Sequence, residues 1–384
     1  MSTREEVKRA AAEAIDRQGE GIIGAAQQVL KNPEPGFREE RTSRLVQEWF
    51  RALGIPFKAG IALTGVKGLL QGGAGPGPTV AVMGELDSLI VPGHPFADPA
   101  TGAAHACGHH AQVGMLLAVA TGLRDPKVLP HLSGRIALIA VPAEEYIEIE
   151  FRDGLRHQGK VEFLGGKPEF IRLGELDDVD IALMTHTTSN PEDKKLALGG
   201  TNNGTVAKRV QFIGRAAHAG GAPWQGVNAL NAAMVALMAI HSQRETFRDE
   251  DTVRVHPIIT RGGAAVNSVP ADVRLETFIR GRTLEAILDA NTTVDRCLRA
   301  GALAVGGKVT ITTLPGYLPL LNDPPLGEVY RANAEALVGR ESVAQVGHRT
   351  GSTDMGDVSH LMPTIHPYAG GAVGAGHGAD YLIQ

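Results

Sequence analysis

Between residues 79 and 186 short apolar runs alternate with helix-forming stretches, and this rhythm limits the fold more than any other feature of the chain. Segments 79–84, 135–142 and 180–186 read as strands, while a small-residue stretch at 108–123 and another near 168–173 read as helices. Strands separated by helices call for crossover connections, which gives an α/β sheet with helices on both faces. Open sheets of this kind place their functional groups at the carboxyl ends of strands. Glu85 and Asp87, Glu144 and Glu145, and His186 all stand at such ends.

Residues 3–30 and 38–53 carry helical apolar spacing, broken by Asn32-Pro33-Glu34-Pro35-Gly36, so two helices are expected to lead the fold. From about 199 to 315 the character changes to strand-rich segments (205–213, 252–260, 271–280, 308–313) with helices at 226–243 and 283–300. This reads as an inserted α+β module hinged at 199–204 and 314–316. The expected division is 1–198 for the first part of a catalytic domain, 199–315 for the insertion and 316–384 for the second part. The sequence contains no internal repeat or low-complexity tract.

Within this frame Ala104-His105-Ala106-Cys107-Gly108-His109-His110 holds one of only two cysteines in 384 residues. A thiolate is soft, anionic and able to bridge two divalent ions, and imidazole completes a site that suits zinc, manganese, cobalt or nickel. Taken alone, Cys107 reads equally well as a small buried hydrophobe. Paired acids such as Glu144-Glu145 are often a solvated strand end, and His186 could simply cap a polar turn. The weight comes from the ordered set, in which Glu144-Glu145, His186 and His377 follow at larger separations.

The chain is 43% hydrophobic and 21% charged with a formal net charge of −5, values ordinary for a globular protein long enough for two domains. Its 37 Lys and Arg are scattered and outnumbered by 42 acids, leaving no basic stripe for nucleic acid. No run of about 18 apolar residues is present to span a bilayer. The first residues are charged and lack the apolar core of a signal peptide, so a cytoplasmic setting is expected. Two cysteines cannot supply a disulfide framework.

Taken together, Gly84-Glu85-Leu86-Asp87-Ser88-Leu89, His105 to His110, Pro142-Ala143-Glu144-Glu145, His186, Gly214-Arg215-Ala216-Ala217-His218-Ala219, Gly226 to Leu230, Asn267 to Asp272, Ser352 to Val358 and His377 resemble the dinuclear metal-dependent metallopeptidases and amidohydrolases. That family includes aminoacylases, indole-acetyl-amino-acid hydrolases and aminobenzoyl-glutamate hydrolases, and the resemblance runs from about residue 10 to the end. It implies a metallopeptidase-type catalytic domain with helices on both faces of a mixed sheet, plus an inserted α+β lid and dimerisation domain. It also implies one or two divalent metals, manganese or zinc first and cobalt or nickel also permitted. The ligands would be Cys107, His109, Glu145, His186 and His377, with the Cys107 thiolate as bridge.

By the same resemblance Glu144 would be the general base, and Asp87 would fix the tautomer of a liganding imidazole, with Glu85 further out. His218 would reach an active site, often the partner subunit's, to stabilise an oxyanion or hold a carboxylate, and Asn267 and Arg280 would bind the substrate carboxylate. The expected substrate is a small carboxylate-bearing amide: an N-acyl amino acid, an aminobenzoyl-glutamate-like conjugate or a dipeptide. The expected assembly is a homodimer through the inserted domain.

Three features depart from the family pattern. His110 stands where Asp or Asn is usual, the segment 91–104 is long enough to form part of a substrate wall, and 146–152 is unusual and suited to shaping the pocket. The sequence also ends soon after His377, where relatives continue into a closing helix; either that helix is absent or the chain continues. Within the same family a second reading is hydrolytic deamination of an aromatic amino acid such as 5-nitroanthranilate. Two further rivals are a non-catalytic binding protein on the same fold and a mononuclear zinc site with Cys107 as spectator.

Overall fold

The computed structural model describes residues 3–384. Its larger sheet has six strands in the order Phe57–Ile61, Gly65–Gln71, Arg135–Val141, Thr79–Glu85, Ile181–Leu183 and Thr364–Ile365. The first two pairings are antiparallel and the last three parallel, so the sheet is mixed. Alternation along the strands splits the core between its faces. Ile136, Leu138 and Ala140 pack with Val46, Phe50, Val113 and Leu117, while Ala137, Ile139 and Val141 pack with Phe170, Leu176, Met355 and Val358. Helices therefore cover both faces.

A second sheet is wholly antiparallel. Gly204–Ile213 lies between Asp272–Gly281 and Lys308–Tyr317, and the short strands Arg254–Val255 and Ile258–Arg261 both pair with Asp272–Gly281. The helices Ala229–Gln243 and Leu284–Ala304 cover one face, burying Val210, Phe212, Ile279, Val294 and Leu298. Cys297 belongs to this core. The other face, carrying Phe278 and Arg280, looks toward the end of the mixed sheet where the acids gather.

Several elements differ from the sequence reading for local reasons. The leading helical stretch is two helices, Arg4–Arg17 and Gly19–Lys31, because the chain leaves helical geometry at Gln18 (φ −107°, ψ 7°) and three helices precede the first strand. The stretch 180–186 divides into Ile181–Leu183 and His186–Thr187, which join different sheets. Residues 252–260 divide likewise at His256-Pro257. Leu314-Pro315-Gly316 is no hinge, because the strand Lys308–Tyr317 runs through it. Instead Thr201–Asn202 pairs with Leu320–Leu321, so the chain enters and leaves the second sheet side by side. The helix Ile149–His157 falls in the unusual segment after Glu145.

Candidate metal centre and substrate cavity

The candidate side chains stand at the ends of strands and helices or in the turns beside them. Thr79–Glu85 ends in Glu85 and leads to Asp87. Arg135–Val141 is followed by Ala143 in the left-handed region (φ 53°), then by Glu144 and Glu145. His377 is also left-handed (φ 65°), and its N–H donates to the Ala106 carbonyl at 2.8 Å. Gly108 is required between Cys107 and His109. It precedes the helix His109–Arg124 at φ 91°, and a Cβ there would lie 2.1 Å from Thr187 Oγ1.

The five residues expected as ligands come together. Cys107 Sγ is 3.3 Å from His186 Nε2, and with His109 they offer three donor atoms within 4.8 Å of one another. Cys107, Glu145 and His377 form a second such group, with Glu145 Oε1 3.4 Å from His377 Nε2. Cys107 is thus shared by both groups. His109 Nε2 and Glu145 Oε1 are buried without hydrogen-bond partners, although buried polar atoms are ordinarily paired. Orphaned imidazole and carboxylate atoms around a shared thiol fit divalent metal of borderline softness.

Asp87 sets the orientation. His109 Nδ1 lies 2.9 Å from the Asp87 carbonyl and 3.2 Å from its Oδ1, while Oδ2 accepts the Glu145 N–H at 2.9 Å. This assigns a His109 proton to Nδ1 and leaves Nε2 facing the candidate ligand cluster. Glu85 lies closer in than the outer position expected, because its Oε2 is 3.1 Å from His109 Nε2 and Glu144 Oε2 is 3.9 Å from the same nitrogen. Its other oxygen accepts from the fully buried Lys167, which also donates to Asp354.

These buried charges shift one another. Burial pushes Glu85 up, but Lys167 and then His109 outweigh it and hold the carboxyl at about 2. Burial, Glu85 and Glu145 drive Glu144 well above the usual carboxylate range. Burial and Glu145 raise the Cys107 thiol. A divalent cation beside these groups favours their charged forms, so metal affinity and deprotonation are linked.

A cavity of about 640 Å³ opens onto this cluster, lined by Cys107, Glu144, Glu145, His186 and His377 and also by Tyr146, Phe278, Arg280, Tyr317, Arg254, His256 and His366. Arg280, expected to bind the substrate carboxylate, is thus among the lining residues. His218 and Asn267 do not line the cavity of their own chain. His218 is exposed, its Nδ1 accepting from Gly220 and Gly221 N–H at 3.2 and 2.9 Å, and the neighbouring Asn267 carbonyl accepts from Ala219. No residue of 91–104 lines the cavity either. His94 is instead buried with Nε2 2.8 Å from the Tyr381 carbonyl, packing the segment beneath the C-terminal turn. Tyr146 and Ile147 do line it. His105 and His110 are buried with rings 5.5 Å apart, and burial together with His109 lowers His110 to about 4.

Sequence reasoning assigned no role to Lys167, Asp354, Tyr317 or His366. Tyr317 OH donates to the Glu144 carbonyl and Tyr146 OH to the Pro315 carbonyl at 2.6 Å, which ties the turn carrying Glu144 to the antiparallel sheet. His366 is buried against His186, with Nδ1 2.7 Å from the Met184 carbonyl. The available signal for Lys167 was its setting in Gly165-Gly166-Lys167-Pro168, where a Cβ at Gly166 would lie 1.8 Å from the Pro142 oxygen. Lys167 is the second residue of the helix Gly166–Arg172, and its ammonium is enclosed by Glu85 and Asp354.

A two-sheet α/β chain with a Cys-His-Glu cluster and an adjacent free carboxylate defines a metal-dependent hydrolase. The profile of Peptidase family M20/M25/M40 matches residues 81–380, and the chain belongs to that family. Over 383 residues it is 29% identical to the Xaa-Arg dipeptidase of Mus musculus, covering 94% of this chain and 79% of that one. It is 32% identical to thermostable carboxypeptidase 2 of Saccharolobus solfataricus over 67% of this chain and 63% of that one. A dinuclear metal-binding peptidase of the M20 family from Bacillus subtilis superposes with a TM-score of 0.66 at 18% identity, covering 97% and 94% of the two chains. The chain is thus an enzyme that hydrolyses carbon–nitrogen bonds with divalent metal. These relatives support amide hydrolysis and do not support the deamination of an aromatic amine, which is set aside. No helix among the described residues is long and apolar enough to cross a membrane.

Proposed function

We propose that this protein hydrolyses small amides bearing a carboxylate, such as N-acyl amino acids, aminobenzoyl-glutamate-like conjugates or dipeptides. The observation that carries the reading is the Cys107 thiol shared between two donor groups, with Glu144 beside them and Arg280 across the same cavity. His109 and His186 would hold one ion and Glu145 and His377 a second, with Cys107 between them. Manganese or zinc is the first choice, and cobalt or nickel suits the same donors. A bound divalent ion supplies polarisation of the amide carbonyl and a water acidified to about pKa 7.

The chain's own groups do the rest. Glu144, raised by burial and by its acidic neighbours, takes the proton of the attacking water and returns it to the leaving nitrogen. Asp87 holds the His109 ring, and Arg280 anchors the substrate carboxylate. His218 and Asn267, exposed side by side, act on the cavity of a second copy. The fully exposed strand Ile258–Arg261 at the sheet edge and the exposed Val266 support a homodimer through this module. The catalytic domain comprises 1–198 and 316–384, with 199–315 as the inserted lid and dimerisation domain. A thiol ligand needs a reducing compartment, which supports a cytoplasmic setting.

The test is metal analysis followed by a mass-spectrometric product screen of manganese- or zinc-loaded protein against pooled N-acyl amino acids, aminobenzoyl-glutamate and dipeptides. Release of an acid and an amine is expected. Intact substrates in both metal forms overturn the reading.

A further inference from the structure

Arg254 and Arg280 are direct partners across two antiparallel strands. Both line the cavity that holds the metal-ligand cluster. Like charges placed opposite each other on one face of a sheet repel, and a chain ordinarily relieves this with a nearby acid. Neither guanidinium has a carboxylate partner among the described residues. Arg254 Nη1 donates to the Val253 carbonyl at 3.0 Å, and the Arg280 guanidinium lies over the Phe278 ring, 5.2 Å from its centroid. By contrast Arg349, a third arginine on the rim, is engaged by Asp193 and stacks on Tyr368 at 3.9 Å.

The surroundings favour an anion rather than water alone. Thr205 pairs with Arg280 across the next strand, and Tyr317 with Thr205 beyond it, but Thr205 Oγ1 donates to the Val206 carbonyl and Tyr317 OH to the Glu144 carbonyl, so the donors this row leaves to the cavity are guanidinium N–H groups of Arg254 and Arg280. His256 adds a further ring to the same wall. Stacking on Phe278 holds the Arg280 plane while leaving its edge free, and an edge is what a carboxylate engages through two parallel hydrogen bonds. One carboxylate occupies one guanidinium edge; the second arginine then faces a second negative charge.

We infer that this wall recognises an end group with two negative charges, the paired carboxylates of an acidic amino acid amide, through Arg254 and Arg280 together. The inference rests on the amide-hydrolysis reading and narrows its substrate class. It also separates this chain from the Xaa-Arg dipeptidase to which it is similar, because a cationic side chain placed against two unpaired arginines is repelled.

The experiment measures binding apart from turnover. Affinities of N-phenylsulfonyl-L-glutamate, N-phenylsulfonyl-L-glutamine and N-phenylsulfonyl-L-arginine, whose sulfonamide bonds resist hydrolysis, are determined calorimetrically on the metal-loaded full chain and on its Arg254→Gln variant. The glutamate ligand is expected to bind about tenfold or more tightly than the glutamine ligand, with the arginine ligand weakest. Arg254→Gln should collapse the glutamate-to-glutamine ratio toward one, and added salt should shrink it in the unsubstituted protein. Equal affinities in the unsubstituted protein, or a ratio untouched by Arg254→Gln, overturn the inference. Turnover of N-benzoyl-L-glutamate is followed separately. Its absence alongside an intact binding preference counts against the hydrolysis reading and leaves the arginine pair standing.

Discussion

A lysine is buried in each region, one in a helix beside the metal-ligand cluster and one in the antiparallel sheet, and the two are treated in opposite ways. Lys167, beside the metal cluster, is enclosed with Glu85 and Asp354, all three with side chains no more than 1% exposed. Burial alone would lower its pKa, but Asp354 and Glu85 outweigh it and the ammonium is held above its ordinary value. Lys208, in the antiparallel sheet, donates to Thr313 at 2.6 Å and pairs with an Asp295 that still touches solvent at 19%. There burial wins over Asp295 and the pKa falls. The first lysine belongs to a network that concentrates charge where chemistry is to occur; the second is an amphipathic side chain tolerated in an ordinary core. Buried charge is costly unless paired, so its density marks the functional region.

The largest effects should fall on the charged region. Glu144→Ala is expected to retain metal, measured by elemental analysis, while turnover drops roughly 10²- to 10⁴-fold; a near-normal rate would remove Glu144 from the base role. Cys107→Ala should lose at least one metal equivalent, and an unchanged stoichiometry would remove the shared thiol from the centre. The same substitution is expected to lower thermal stability only in the presence of metal, because ligand binding adds to folding free energy.

The lysines themselves give the sharper test. Lys167→Met leaves Glu85 and Asp354 facing each other unpaired and should destabilise the fold by about 3–5 kcal/mol in denaturant titration. Adding Asp354→Asn should recover part of that loss, since the two sites share one interaction. Lys208→Met should cost only about 1–3 kcal/mol, because Asp295 retains access to water. Equal costs at both positions would dissolve the distinction between the two regions.

The same distinction governs what could be read from the sequence. The strands 204–213 and 272–281 were legible as strand-forming runs, and burial alternates strictly along 272–281 though not along 204–213. The five candidate ligands were legible because coordination demands particular residue types at strand ends. Glu85, Lys167 and Asp354 were not read as one network, because their contact spans separations of 82 and 187 residues and no local pattern announces it. Tyr317 was missed for a related reason. Pro315 and Gly316 led to a hinge being expected at 314–316, directly before it, yet the strand tolerates both, with Gly316 packed where a Cβ would lie 2.2 Å from the Thr205 oxygen. Turn chemistry is a local signal, and here tertiary pairing overrode it.

The smallest expected effect compares the two regions through pH. Asp357, near Asp354, is pushed from 3.8 up to about 8 by burial and then by Asp354, and its Oδ2 has no hydrogen-bond partner. Between those two values the folded chain holds a proton that the unfolded chain has released. Its contribution is therefore fully present below pH 3.8 and is lost as pH rises through about 8. Asp272, on the antiparallel sheet, behaves oppositely. Burial raises it, but the Gln211 hydrogen bond, Arg274 and Arg261 together outweigh burial and lower it, so its contribution is present above 3.8 and lost on acidification. Melting temperatures recorded from pH 4 to 8 should show a shallower decline in Asp357→Asn than in the unsubstituted protein. The slope should not vanish, because Glu39 and Asp354 are also raised, to about 7 and about 6, and act in the same direction. Asp272→Asn, at a largely solvated site, should change the acid limb below pH 4 and little else. If Asp357→Asn left the decline unaltered, the strain stored in this charged region would have to lie wholly in Glu39, Asp354 and the carboxylates at the metal centre.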